Sequence, residues 1–177
     1  MTAPETRKRS HIIMRSEPSR LARREKELTM GWIDDIKGKV ASAGESLKTE
    51  ISKYRNDGFR KAAVAACAIV AAADGRIDDA EIEDFLSSVL SSALSVFPVA
   101  QIDEEFRARA GRINANKTVG VAEALQALAP LKGKPEATLV VGIAKSVAEQ
   151  GGIDASETAA LRKICSALAI DPTLFDL

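Results

Sequence analysis

Apolar residues recur at steps of three and four along most of the chain, the spacing of one helix face. After Trp32 the stripe runs Ile33, Ile36, Val40, Leu47, Ile51 and Tyr54, with Ala43 in the gap and Lys37, Lys39, Lys48 and Lys53 around the rest. It predicts an amphipathic helix packed on the body. The alternative lays the same stripe on a membrane with Trp32 at the interface. Asn56-Asp57-Gly58 breaks that helix, and residues 59–73 read as a buried one, apolar without interruption from Ala62 to Ala73. Asp74-Gly75-Arg76-Ile77 is a turn, and Asp78 starts a helix to about Leu94, with Pro98 ending the unit. A helix from about Gln101 to Ala115 carries Ile102, Phe106, Arg109 and Ile113. Another runs from Thr118 or Val119 to Leu131, with Val121, Leu125 and Leu128 inward. Lys132-Gly133-Lys134-Pro135 is a turn, with Pro135 suited to a first helical position. The helix after it carries Val140, Ile143 and Val147 to Glu149, and Gly151-Gly152 stops it. Asp154 opens a long helix to Ala169, and Asp171-Pro172 begins a final turn with Leu174 and Phe175.

The pattern gives an all-α domain of seven helices plus a terminal turn, with no convincing strand. Loops this short imply antiparallel neighbours, so a helical bundle is the expected packing. Thr2 to Thr29 lacks apolar periodicity. Residues 1–29 read as a disordered N-terminal extension or a start-site artefact, with Met30 opening a domain over residues 30–177. A basic arm contacting acidic lipid or a partner is the other reading.

Charge sharpens this division. Residues 1–30 hold eight Lys/Arg and four Asp/Glu (+4), and the remainder holds 17 and 21 (−4). A mildly acidic body excludes nucleic acid as the expected partner, because nucleic acid calls for a clustered basic face. With aromatics at only 4% and apolar residues at 46%, the core is filled by aliphatic side chains. The longest apolar run, Ala62 to Ala73, is 12 residues, against about 20 for a membrane span. No apolar segment follows the N-terminal charges, so no secretory signal is expected. Cys67 and Cys165 sit within apolar helix and make no disulfide framework, which favours a reduced cytoplasm.

One pattern occurs twice. Asp74-Gly-Arg-Ile-Asp78-Asp79-Ala-Glu81 aligns with Gln150-Gly-Gly-Ile-Asp154-Ala-Ser-Glu157. Each copy reads as a helix–turn–helix, and the domain as two related helical hairpins facing each other. Asp-x-x-Glu at a helix start is a capping box, so Asp78 with Glu81 and Asp154 with Glu157 are accounted for by orphan backbone amides. Ile77 and Ile153 fit as hydrophobic staples. Asp74 is not so explained: on a helix end a negative charge opposes the dipole. Acidic groups around one glycine turn suit a hard cation, so Asp74, Asp78 and Glu81 are candidate ligands for a divalent ion, Ca²⁺ or Mg²⁺ first. Asp154 and Glu157 form a poorer second copy, Gln150 standing where an acid would be and Glu149 available as a substitute. The EF-hand loop pattern is absent.

Phosphate-loop and dinucleotide motifs are absent, and the single histidine, His11, lies in the extension rather than the domain, so no enzyme is expected. Direct thiol chemistry would need an exposed cysteine of low pKa, and buried core thiols are the simpler reading. The Lys132/Lys134 turn ahead of a helix is a weak anion motif.

GWIDDIKGKVASAGESLKTEISKYRNDGFRKAAVAACAIVAAADGRIDDAE, followed by LVVGIAKSVAEQGGIDASETAALRKICSALAIDPTLFDL, resembles the TerB family of tellurite-resistance proteins. The likeness covers residues 30–177, including the opening amphipathic helix, the paired acidic turns, the KP-E-A helix start and the closing DP-x-x-F-x-L. It implies a cytoplasmic domain, free or at the inner face of the membrane, of seven helices with a four-helix bundle among them. It implies metal binding at Asp74, Asp78, Glu81, Asp154 and Glu157, and a non-enzymatic role in stress response alongside other tellurite-resistance proteins, one of them membrane-embedded. Position 150 commonly carries Asp in the family, so Gln150 puts a full second site in doubt. A structural or membrane-associating scaffold with no metal site is the alternative.

Overall fold

The computed structural model describes residues 49–91, 93–149 and 152–177. The extension over 1–29, most of the helix expected from Trp32, and Gln150 lie outside them. Among the described residues every regular element is helical, as the apolar spacing predicts.

Residues 49–52 are helical, the end of the first expected helix. Its stripe turns inward there: Ile51 is fully buried, and Tyr54 stacks on Phe59 with ring centroids 6.4 Å apart. Next comes α1, Asp57–Ala71. Asn56 is both the break and the cap, its side chain accepting from the Phe59 amide at 2.9 Å. Every residue from Ala62 to Val70 is buried, and a helix apolar all round has to be enclosed by others.

Five further helices follow. They are α2 (Asp79–Ser91), α3 (Val99–Ala115), α4 (Lys117–Gln126), α5 (Ala137–Ala148) and α6 (Ala155–Leu168), and three short 3-10 turns punctuate them. Prolines explain where these bounds differ from the sequence expectation. Pro98 caps the start of α3 at Val99, two residues early. The expected helix to Leu131 stops at Gln126 and resumes as a 3-10 turn, Ala129–Leu131, because Pro130 lacks the amide an α-helix needs there. Pro135 stays in the turn, and α5 begins at Ala137.

The helical bundle is organised around α1, which packs on α3, α4, α5 and α6. Its broadest contact is with α5, whose residues Ala137 to Ala144 are all buried. The flanking helices show one inward stripe each. On α3 it is Ile102, Phe106, Ala110 and Ile113; on α6 it is Ala160, Leu161, Ile164, Cys165 and Leu168. The two repeated units pack differently. α5 and α6 lie against each other, whereas α2 rests chiefly on α3 and the 3-10 turn Ala93–Val96. Phe85 of α2 stacks on the fully buried Phe106 of α3 at 3.8 Å, and burying such a ring contributes about 1.5–3 kcal/mol.

Candidate functional site: the two acidic turns

Each turn joins the end of a buried helix to a capped helix start. In the first, the Glu81 amide donates to Asp78 Oδ1 at 2.8 Å, and the Asp78 amide donates to Glu81 Oε2 at 2.7 Å. In the second, the Glu157 amide donates to Asp154 Oδ1 at 2.8 Å, and the Asp154 amide to Glu157 Oε2 at 3.0 Å. Both are complete capping boxes, so one oxygen of each carboxylate is committed to its own helix. The Ser156 hydroxyl also donates to Asp154 Oδ1, at 2.7 Å. The Glu157 amide first, and Ser156 second, hold the Asp154 carboxyl below its ordinary pKa, since both bonds favour the ionised form.

Asp74 belongs to neither box. The sequence reading placed it on a helix end, but α1 stops at Ala71 and Ala72 caps it, so Asp74 is an exposed turn residue beyond the dipole's last turn. Among the described residues, no three His, Cys, Asp or Glu side chains gather as a metal centre would require. The structure thus pairs Asp78 with Glu81 and Asp154 with Glu157, and Asp74 takes part in neither pair.

The first turn is held from outside by two residues the sequence did not single out. Asn114, near the end of α3, accepts from the Ile77 amide at 2.9 Å and donates to the Ile77 carbonyl at 2.7 Å. Lys117, at the start of α4, donates from Nζ to the Ala73 carbonyl at 3.2 Å. This ammonium meets a carbonyl just past the end of α1. These partners are 37 and 44 residues away in sequence, and no local spacing signals them. Ile77 is buried as the staple reading requires; Ile153 is only half-buried.

Other candidates resolve similarly. Glu149, the possible substitute ligand of the second copy, caps α5 and pairs with Lys145 at 3.4 Å. Lys132 and Lys134 are exposed, and Glu136 occupies the N-cap position of α5 without a side-chain capping bond. Cys67 and Cys165 are buried free thiols; burial pushes Cys67 up to about 12 and Cys165 to about 11. No described helix is long and apolar enough to cross a membrane.

The family model described as "Tellurite resistance protein TerB" matches residues 60–177, both acidic turns included. The chain belongs to the TerB family. A curated relative named "Tellurium resistance protein TerB", from Alcaligenes sp, is 30% identical over 122 residues, which is 67% of this chain and all of the relative. No solved structure matches this TerB chain. Membership supports a role related to tellurite resistance. The matched stretch begins inside α1, after the helical residues 49–52.

Proposed function

We propose that the chain serves tellurite resistance as a non-enzymatic cytoplasmic scaffold, docking on other tellurite-resistance proteins, with its acidic turns acting as rigid joints between helices. The observation that carries this reading is the pair of complete capping boxes, which gives Asp78, Glu81, Asp154 and Glu157 a structural task. The non-enzymatic part is supported by the thiols, latent nucleophiles held protonated in the core.

A second reading keeps a divalent cation at these turns, and one observation favours it. Asp74 is exposed and outside the boxes, and each boxed carboxylate has a second oxygen beyond the one its helix uses. Such a site would bind Ca²⁺ or Mg²⁺ through few protein oxygens and many waters, and hence weakly. Calorimetric titration of the full chain with each ion decides between the two. The scaffold reading expects no saturable heat up to about 10 mM, beyond the roughly 1 mM of the weakest ordinary Ca²⁺ sites. Saturable heat that vanishes in Asp74→Ala and Asp78→Asn would overturn it. Asparagine caps a helix as well as aspartate, so the second variant removes the charge while keeping the joint.

A further inference from the structure

A polar cleft of about 570 Å³ opens between α1, α3 and α4, lined by Lys61, Glu105, Arg109, Arg112, Glu123 and Gln126. The volume lies within the range of small-ligand sites. Its two acids are already matched. Glu105 Oε1 takes Nη1 of Arg60, a buried α1 side chain, at 2.9 Å, and Arg60 also pairs with Asp57 at 3.3 Å. Glu123 takes Arg112 Nη1 at 3.2 Å, a bond linking α3 to α4.

Arg109 is left over. It sits one helical turn from both Glu105 and Arg112, on the face of α3 that lines the cleft. No carboxylate among the described residues comes within ion-pair distance of it, and its Nε is buried with no acceptor. Burial lowers the guanidinium's pKa from its ordinary value, with Glu105 and Glu123 opposing the shift. The protein therefore takes one side of a cation out of water and supplies no direct counter-ion. Nearby, Glu105 Oε2 and Arg60 Nε are also buried without partners. Four cations here, Arg60, Lys61, Arg109 and Arg112, stand against three carboxylates, Asp57, Glu105 and Glu123, and neither Arg109 nor the exposed Lys61 has a direct ion pair.

We propose that this cleft binds a small oxyanion, seated on the open edge of the Arg109 guanidinium between Lys61 and Arg112. The planar fork of arginine suits paired acceptor oxygens, a geometry shared by carboxylates and tetrahedral oxyanions. An anion there supplies the missing countercharge without disturbing the two internal ion pairs.

Amide NMR titration of the full chain with sodium acetate and, separately, sodium phosphate tests the proposal, against sodium chloride at matched ionic strength. The expected result is saturating shifts around Lys61 and residues 105–126 for at least one of the two, with half-saturation on the order of 10 mM or lower. Acetate acting more tightly identifies a carboxylate ligand, and phosphate a tetrahedral one. Arg109→Gln should weaken binding about tenfold or more, and Arg109→Lys should fall between it and the parent. Lys61 is exposed, so Lys61→Gln leaves the fold intact and should weaken binding roughly threefold; it carries the test if Arg109→Gln fails to fold. Shifts that match chloride, or that saturate equally in Arg109→Gln or in a folded Lys61→Gln, would overturn the proposal and leave the cleft to water.

Discussion

The Asp154 carboxylate holds the first turn of α6 through the Glu157 amide and is itself held by Ser156. These bonds lower its folded pKa below that of the unfolded chain, so its stabilising effect is present above the unfolded value. It is lost as the pH falls through the lower, folded value. Asp154→Ala should therefore melt at a lower temperature than the parent near neutral pH, and the deficit should narrow in strong acid, where the parent's carboxyl is protonated and accepts more weakly. Asp154→Asn should stay close to the parent at neutral pH, because its amide oxygen can still accept from Glu157. Thermal melts across pH read both outcomes. A deficit that is the same at every pH would remove the ionised cap from the explanation.

At the scale of elements, the elbow between α3 and α4 is the joint that positions the first acidic turn. Asn116 ends α3 and caps α4, accepting from the Val119 amide at 3.1 Å, while Asn114 and Lys117 on either side reach the turn. The elbow closes this tightly because Gly120 has no side chain: a Cβ there would lie 2.5 Å from Ile113 Cα. Alanine would gain about 1 kcal/mol in helix propensity, but the clash is with backbone, which cannot swing aside. Gly120→Ala should lose about 1–3 kcal/mol net by urea denaturation. Gly111, within α3, faces open space, and Gly111→Ala should instead gain up to about 1 kcal/mol. Equal effects at the two glycines would show that close packing at the elbow is not the cause.

For the molecule as a whole, enclosure of α1 dictates the chemistry available to the chain. Cys67 on α1 and Cys165 on α6 are both fully shielded. With Cys67 pushed up to about 12 and Cys165 to about 11, neither is a thiolate at neutral pH. A disulfide reagent at pH 8 should leave the native protein unmodified over minutes and label two thiols once denaturant is added. Rapid labelling of either native thiol would reopen direct thiol chemistry as a route to resistance.

Helices, caps and turns were legible along the chain because each is made within a few residues. The period of Ile102, Phe106 and Ile113, the Asp-x-x-Glu boxes and the unbroken run from Ala62 to Ala73 all state their structure locally. What lay beyond such reading depends on residues far apart meeting. That Asn114 and Lys117 grip the first turn, that α2 rests on α3, and that Arg109 faces a cleft without a direct ion pair follow from α1 lying at the centre. Local spacing determines which residues form a helix and which face is apolar, while only tertiary packing decides which distant polar group meets which turn.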